Sequence, residues 1–378
     1  MRIGVLTPFP VLPLTHGGRV RTLRLAASLS AAGATVTLAC PWAPGLRSRP
    51  FRTRGVRIVP FVAPANLVPA ILGDRLVTPL AALSWVPARI ADHVLRSIGP
   101  VDVIQLHFPA QAALLERAGG GVTRVYVAHN VEADYARTYP PLLAPSRMVQ
   151  RVTAIEQRAF QGSDIVVACT TADANRLQAL YGERPVVVAP NGYEPVASGV
   201  PTRETARAAL GIGEDERVVV FVGGPAAHNR HAVRAILELV MPELGSAWRL
   251  MLVGGSSGEG AAAAGSSGVL RLGFVENLAS VLAAADVAVN PSTHGMGSHH
   301  KIADYLASRL PVVTTPEGAR GFESVGAQVI VAPITGFAAA IRAATTRGTI
   351  ADLPADLAWS AIGARLLHAY GAELARRR

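Results

Sequence analysis

The chain has 378 residues, of which 50% are hydrophobic and 16% are charged. At roughly 150 residues per domain, this length predicts about two domains, and the composition excludes disordered and fibrous proteins. The net charge is +10, and because Lys301 is the only lysine, nearly all cations are arginines. The surplus either reflects background composition or favours an anionic partner such as a nucleotide phosphate, an acidic lipid surface or a nucleic acid.

No disulfide framework, export signal or membrane span is predicted. Cys40 and Cys169 each end an apolar run and are distant in sequence, which favours reduced thiols. The first ten residues fit a buried strand better than a signal peptide. Prolines and charges interrupt the apolar region 61–95 before it reaches the roughly 20 residues of a membrane span. We therefore expect a soluble, cytoplasmic protein, and without a nucleic-acid motif we expect no nucleic-acid partner.

Apolar runs in the first half alternate with helical patterns. They are continuous and rich in Val and Ile, which is typical of parallel strands covered by helices on both faces. The first half is therefore a doubly wound α/β domain, with strands predicted at residues 3–6, 35–39, 56–61, 101–106, 124–128 and 165–169.

A second α/β series follows a loop-like stretch, so a domain boundary is predicted between residues 195 and 216. Residues 254–268 are rich in Gly, Ser and Ala and predict a flexible or shortened helix-loop segment. Residues 357–378 have helical spacing and a cationic end that suits the negative end of a helix dipole. The strands of this second series are predicted at residues 218–222, 249–253, 269–272, 287–290 and 311–315.

Two strand ends in the first half carry candidate functional residues. Gly17 and Gly18 open a helix, where glycines and free N–H groups favour an anion, although a plain tight turn fits equally well. His129 and Asn130 end a predicted strand, with Glu132 close behind. An imidazole there could bind a sugar hydroxyl or move a proton, or it could be a structural hydrogen-bond donor.

The segment NPSTHGMGSHHKIADY carries the densest cluster of candidate residues. Lys301 falls in the first turn of a predicted helix, where a cation is disfavoured unless an anion occupies the site. Ser298 adds a donor, and Asp304, on the same helix face, could bind a ribose diol. The alternative is a solvated Lys–Asp pair. The histidines at 294, 299 and 300 suggest a metal site only weakly, because ligands so close in sequence need a remote partner.

The motifs HGG, HNVEADY, VAPNGYEP, FVGG with Asn229, and GSHHKIADYLASRLPVVTTPEGARG occur in that order. In order and spacing they resemble the retaining family 4 glycosyltransferases of the GT-B fold. The resemblance implies two doubly wound Rossmann-like domains facing a central cleft. Residues 1–198 would bind the acceptor, residues 199–356 would bind the nucleotide sugar, and a helix at 357–378 would pack back on the first domain.

The resemblance also assigns roles to residues. His129 would be the catalytic residue that meets the transferred sugar, and Asn130 and Glu132 would contact the acceptor. It implies transfer with retention, in which stabilising the leaving diphosphate supplies most of the catalysis. No metal or cofactor is expected beyond a UDP- or GDP-type sugar as co-substrate. Donor-binding residues would be Gly17, Gly18, Arg230, Gly297, Ser298, His299, Lys301 and Asp304.

Two departures from the family pattern concern this donor site. Many family members carry an Arg and a Lys after the first strand of the second domain, whereas GGPAAHNRHAVR offers His228, Arg230 and Arg234 but no lysine, and Arg230 is the best substitute. The first Glu of the family's donor-sugar motif has no counterpart, since Met296 stands eight positions before Asp304.

Three functions remain open from the sequence. The first is a transferase acting on a natural product, a lipid-linked acceptor or a polysaccharide precursor. The second is a catalytically silent sugar-nucleotide-binding or partner-activating protein, and the third is a related epimerase or hydrolase. Arginines on the first helix allow peripheral contact with the inner face of a membrane, or equally a solvated surface.

Overall fold

The computed structural model describes residues 1–14, 17–43, 45–62, 88–139, 145–195, 199–259, 268–293, 297–345 and 353–377. They form two compact units. The first comprises Met1–Pro190 together with Trp359–Arg378, and the second comprises Asn191–Ala358. Most of the apolar region 61–95 and the middle of the Gly/Ser/Ala tract lie outside the described residues.

The first unit contains one sheet with the strand order β3-β4-β2-β1-β5-β6-β7-β8. Every neighbouring pair is parallel except β3 with β4. Its strands are β1 Arg2–Leu6, β2 Thr35–Pro41, β3 Phe51–Thr53, β4 Val56–Phe61, β5 Val103–His107, β6 Thr123–Val127, β7 Ile165–Ala168 and β8 Val186–Val188. The helices are α1 Gly17–Ala31, α2 Ala88–Ile98, α3 Ala112–Arg117, α4 Glu132–Thr138, α5 Pro145–Gln161 and α6 Thr171–Tyr181.

The second unit contains an all-parallel sheet with the strand order β11-β10-β9-β12-β13-β14. Its strands are β9 Arg217–Val222, β10 Trp248–Val253, β11 Val269–Gly273, β12 Val287–Asn290, β13 Val312–Thr314 and β14 Val329–Val331. The helices are α7 Arg203–Ala209, α8 Ala227–Ala235, α9 Met241–Leu244, α10 Leu278–Leu282, α11 His300–Ala307 and α12 Phe337–Thr345. Among these residues and those of the first unit, no helix is both long enough and apolar enough to cross a membrane.

Both sheets confirm the predicted parallel α/β architecture. Each reverses its strand order next to its first strand, between β1 and β5 in one unit and between β9 and β12 in the other. Ligands of doubly wound sheets bind beyond the carboxyl ends of the strands at such a switch point. All predicted strands are present, and the three short strands β3, β8 and β14 were not predicted. Three residues carry too little of the Val/Ile pattern to indicate a strand.

Each sheet lies between two apolar layers. Along β5, Val103 packs into the layer that contains α1, whereas Ile104 packs into the opposite layer with Leu106 and Tyr126. The second sheet alternates in the same way, with Val218 on one side and Val219 on the other. Burial on both faces explains why these strands are apolar throughout.

The amino ends of the strands are tied by aspartates. Asp102, Asp164 and Asp286 each precede a strand and accept a hydrogen bond from a backbone N–H of the neighbouring strand, at 2.7, 2.7 and 2.6 Å. All three aspartates therefore act as structural turn residues.

The boundary between the units falls at Pro190 and Asn191, eight residues before the predicted boundary at 198. Asn191 Nδ2 donates to the carbonyl oxygen of Ser298 at 2.5 Å. The Tyr193 N–H donates to the carbonyl of Leu357 at 3.1 Å. These bonds hold the first residues of the loop-like stretch on the second unit.

The last helix, α13 Trp359–Arg377, belongs to the first unit and packs against α1. Gly363 permits this contact, because a Cβ atom there would lie 2.5 Å from the backbone carbonyl of Ser28. Trp359, Ile362, Leu366 and Tyr370 of α13 join the same apolar layer as α1.

We expect Gly363→Ala to destabilise the protein, because the new methyl group must push α13 away from α1. Overpacking of this kind costs about 1–3 kcal/mol, and the gain in helix propensity offsets about 1 kcal/mol of it. Gly371→Ala is the matched control on the same helix, since its Cβ would meet only Met1 Cε at 3.8 Å. Thermal and urea unfolding should show a loss for Gly363→Ala and none for Gly371→Ala, and equal behaviour of the two variants would contradict this packing.

Candidate functional site

Two histidines meet at the carboxyl edge of the first sheet. His107 is the last residue of β5, and His129 follows the end of the adjacent strand β6. His107 Nδ1 lies 3.0 Å from His129 Nε2, and both side chains are buried. His129, the predicted catalytic residue, therefore does not stand alone at its strand end.

Phe108 covers His129. Its ring stacks on the imidazole with the centroids 4.0 Å apart, and Phe9 meets the edge of the Phe108 ring at 5.2 Å. Phe108 has φ 65°, a left-handed conformation that is costly for a bulky residue. The aromatic contacts stabilise this backbone turn, which brings the ring over the histidine.

Gly17 and Gly18 form the first residues of α1, as predicted. The carbonyl oxygen of Gly18 accepts a hydrogen bond from Thr22 Oγ1 at 2.8 Å, and the same hydroxyl lies 3.2 Å from His107 Nδ1. The start of α1 is thereby joined to the histidine pair, and its first backbone N–H groups have no partner within the helix.

Glu132 lies in a buried carboxyl pair, where it is only 2% exposed. Burial, and then the charge of Glu156, raises the pKa of Glu132 to about 8. Its carboxyl group accepts a hydrogen bond from Asn130 Nδ2 at 3.2 Å.

Glu156, the other carboxyl group of the pair, accepts hydrogen bonds from the N–H groups of Glu132 and Ala133 at the start of α4. Its other two bonds come from the hydroxyls of Tyr126 and Tyr181. The structure thus gives both carboxyl groups local partners, and the acceptor-binding roles of Asn130 and Glu132 stay predictions.

Lys301 lies at the switch point of the second sheet, in the first turn of α11. Its Nζ donates to Asn229 Oδ1 at 2.8 Å and stands 4.2 Å above the ring of Phe221, in the penultimate position of β9. Among the residues that the structure describes, no carboxylate lies within ion-pair distance of this ammonium group. Burial lowers the pKa of Lys301 to about 7.

The groups around Lys301 are also basic. Burial, and then the charge of Lys301, lowers the pKa of His228 to about 4 and that of His299 to about 3. Charges on Arg230 and Arg320 contribute in the same direction. Both histidines are therefore neutral near pH 7, and an anion bound here would favour the protonated forms of these groups.

The loop before α11 brings three further predicted donor-binding residues together. Gly297 has φ 71°, a conformation that glycine adopts readily. Ser298 Oγ and His299 Nε2 are buried atoms without a hydrogen-bond partner in the described part of the chain. Buried polar groups without a partner are costly, and they mark a place where a ligand can supply one. Asp304 is exposed one turn further along α11.

Arg230 is tied to its surroundings. Its guanidinium donates to the carbonyl oxygen of Pro225, and its Nε lies 3.8 Å from Glu259. Arg234 binds the same carboxylate at 2.9 Å. A role of Arg230 in binding the donor would therefore require it to exchange Glu259 for phosphate.

No cluster that could hold a metal ion occurs among the residues for which coordinates are described. His294 and Met296, which the sequence analysis singled out, lie outside those residues.

The structure adds residues that sequence analysis did not select. Asn229 and Phe221 contact Lys301, Glu156 caps α4, and Gln105 and Tyr370 lie beneath the histidine pair. Gln105 carried a signal, because an amide within the apolar run VIQLH breaks the pattern of a fully buried strand. Phe221 and Asn229 belong to the motif FVGG with Asn229 but were given no individual role, and Glu156 and Tyr370 have no local pattern that separates them from core or helix residues.

Lys301→Met should stabilise the ligand-free protein in a pH-dependent way. The pKa of Lys301 falls from 10.5 when unfolded to about 7 when folded. Below pH 7 the buried charge therefore lowers the free energy of unfolding by its full amount. Between pH 7 and 10.5 this loss becomes steadily smaller as the pH rises. The variant's advantage in urea unfolding should be largest at pH 6 and small at pH 9.5. An advantage that is constant or grows with pH would contradict burial of a charged lysine.

Two family models match consecutive parts of the chain. "Glycosyltransferase Family 4" matches residues 15–196, and "Glycosyl transferases group 1" matches residues 216–347. A D-inositol 3-phosphate glycosyltransferase from Rhodococcus opacus is 29% identical over 293 residues, which are 74% of this chain and 62% of the relative. The enzyme of the same name from Stackebrandtia nassauensis is 33% identical over 173 residues, 43% of this chain and 38% of the relative. The matches thus span about three fifths or less of these relatives.

Solved structures show the same fold. Sucrose-phosphate synthase from Thermosynechococcus elongatus aligns with a TM-score of 0.68 and 16% identity, over 100% of this chain and 97% of the other. HepE from Anabaena in complex with UDP aligns with a TM-score of 0.63 and 15% identity, over 100% and 97%. The fold is therefore GT-B, and the chain belongs to the group 1 and family 4 glycosyltransferases.

Proposed function

We propose that the protein transfers a sugar from a nucleotide diphosphate sugar to a hydroxyl acceptor. The observation that carries this proposal is the amino group of Lys301, which lies at a strand-order switch point without a carboxylate in ion-pair range among the described residues, in the same loop-and-helix segment as the buried, unpartnered atoms Ser298 Oγ and His299 Nε2. A cation in the first turn of a helix opposes the helix dipole. A diphosphate would neutralise this charge and accept hydrogen bonds from the backbone N–H groups there.

On the second unit, we assign the donor phosphates to Lys301, Ser298, His299 and the backbone at Gly297. Asp304, one turn along the same helix, would accept two hydrogen bonds from the ribose diol. Arg230 would join the phosphates once released from Glu259. On the first unit, Gly17 and Gly18 offer backbone N–H groups to an anion at the start of α1.

His129 is the group we assign to the transferred sugar. A neutral imidazole can bind a hydroxyl without adding charge, and Lys301 with the backbone N–H groups of the donor site would stabilise the leaving diphosphate. We propose front-face attack by the acceptor hydroxyl with retention of configuration, without a protein nucleophile, metal or cofactor. A cytoplasmic location fits the nucleotide-sugar donor.

We propose UDP as the donor nucleotide, because two structurally similar proteins were solved with UDP or a UDP sugar. HepE binds UDP, and an E. coli trehalose-6-phosphate protein that aligns with a TM-score of 0.62 was solved with UDP-2-fluoro glucose. GDP sugars are the next candidates. Acceptors to be screened include small natural products, polysaccharide precursors, lipid-linked sugars and, from the relatives' name, D-inositol 3-phosphate.

We expect one class of UDP-, GDP-, ADP- or dTDP-sugar to raise the melting temperature of the protein, because a ligand that binds only the folded state stabilises it. Lys301→Ala and Asp304→Ala should abolish the shift while remaining folded. Glu243→Ala, which removes an exposed acid on α9 of the same unit, is the matched control and should retain it. No shift with any donor, or a shift that survives in Lys301→Ala, would refute this donor site.

Turnover separates the three candidate functions. In a transferase, His129→Ala should lower product formation by about 100-fold or more while the donor-induced thermal shift persists. A silent binding protein would show the thermal shift without turnover. A hydrolase would release free sugar without an acceptor, and an epimerase would release an altered nucleotide sugar.

The first unit also carries an asymmetric charge. Residues 1–73 contain nine arginines and no aspartate or glutamate, so nearly the whole net charge arises there. Arg47, Arg49, Arg52 and Arg54 are exposed on the segment that leads into and through the hairpin of β3 and β4. We call these four residues the arginine surface.

Two exposed apolar side chains, Trp42 and Val62, follow the ends of β2 and β4 and are 41% and 73% exposed. We propose that this surface contacts an anionic membrane, since aromatic and apolar side chains beside arginines suit a lipid interface.

Sedimentation with anionic phosphatidylglycerol vesicles should carry the protein down at low salt, and less of it as salt screens the attraction. The double variant Arg49→Glu/Arg52→Glu should no longer sediment with the vesicles. The control variant Arg147→Glu/Arg151→Glu makes the same charge change at exposed positions of α5, and it should still sediment with the vesicles. Absence of sedimentation at low salt, or preferential binding of a nucleic acid that competes with vesicles, would refute the membrane contact.

A further inference from the structure

Three buried polar side chains lie within the apolar layer between the first sheet and its helices. Gln105 and His107 are two residues apart on β5, so they face the same layer as Val103. Tyr370 reaches this layer from α13. All three are at most 1% exposed. Polar groups are costly in such a layer unless they bind one another, and these three form a continuous chain that ends at His129.

The direction of the first hydrogen bonds follows from the donors available. Gln105 Nε2 donates to Tyr370 Oη at 2.8 Å, which fixes the orientation of the amide. Gln105 Oε1, 3.4 Å from His107 Nε2, can only accept. His107 Nε2 must therefore carry a hydrogen. Burial, and then the charge of Arg21, lowers the pKa of His107 to about 3, so the ring is neutral and its Nδ1 is an acceptor.

Two groups approach His107 Nδ1, at 3.2 Å from Thr22 Oγ1 and at 3.0 Å from His129 Nε2. Thr22 already directs its single hydroxyl hydrogen to the carbonyl oxygen of Gly18 at 2.8 Å. The hydrogen bond that His107 Nδ1 accepts must then be donated by the N–H at His129 Nε2. In the neutral form of His129, donation from Nε2 makes Nδ1 the acceptor nitrogen of the ring.

We propose that Tyr370, Gln105 and His107 are positioning residues that fix His129 in its Nε2–H tautomer. The functional meaning rests on the proposed role of His129 at the sugar. A sugar hydroxyl that meets Nδ1 then donates its hydrogen to this nitrogen, and the histidine is the acceptor. The hydroxyl of Tyr370, on the last helix, thereby acts on a group at the carboxyl edge of the sheet.

The tautomer can be measured without any activity. In protein labelled with ¹⁵N-histidine, long-range ¹H–¹⁵N spectra distinguish protonated from bare ring nitrogens, and His107→Ala and His129→Ala assign the signals. We expect His129 with a protonated Nε2 and a bare Nδ1 in the parent protein. Gln105→Met, which removes the fixed amide, should populate the Nδ1–H form of His129, and Tyr370→Phe should do so to a smaller extent.

Tyr181→Phe is the matched control. It also removes a buried hydroxyl of the first unit, one that donates to Glu156 at 2.9 Å, and it leaves the chain to His129 intact. We expect it to leave the tautomer unchanged. In turnover, Gln105→Met should lower kcat about tenfold with KM for the donor nearly unchanged. Combined with His129→Ala, it should cause no further loss, because both changes act on the same group.

The parent protein with His129 protonated at Nδ1, or a Gln105→Met variant with an unaltered His129 signal, would overturn the inference. Equal kcat losses in Tyr181→Phe and Tyr370→Phe would also overturn it, because the effect would then reflect packing alone. If the expected tautomers are observed in a protein that transfers no sugar, the hydrogen-bond chain stands and the proposed function fails.

Discussion

Parallel strand pairing is the constraint on which the candidate site of each unit depends. It sends the carboxyl ends of all central strands to one edge of each sheet, and the strand-order reversal opens space there beside the first strand. His107 and His129 meet because β5 and β6 are neighbours, although 22 residues separate them. Phe221 lies under Lys301 because β9 and β12 are neighbours. Neither arrangement depends on residues adjacent in sequence.

The two edges of each sheet differ in charge. At the amino edge, Asp102, Asp164 and Asp286 accept backbone N–H groups and neutralise exposed donors. At the carboxyl edge of the second sheet, burial disfavours the protonated forms of Lys301, His228 and His299. A bound anion would favour those protonated forms, which is how a stable scaffold can prefer a diphosphate to water.

The sequence was sufficient for the architecture and for the position of the cluster from Gly297 to Asp304. Long Val/Ile runs identify buried parallel strands, and a lysine at a helix start is unusual enough to notice. The sequence did not predict that Asn229 contacts Lys301, that Glu156 lies beneath α4, or that the boundary between the units falls at Asn191. Those depend on contacts between elements distant in sequence, and a side chain's helical position does not reveal its tertiary neighbour.

The membership of α13 in the first unit has a consequence for biosynthesis. Residues 1–190 leave the ribosome early, yet the helix that covers α1 is made only after all of the second unit has been synthesised. Until then the apolar side chains of α1 that Trp359, Ile362 and Leu366 will cover stay uncovered. The nascent first unit is therefore the species most exposed to chaperones and proteases, and the second, continuous in sequence, can complete its fold first.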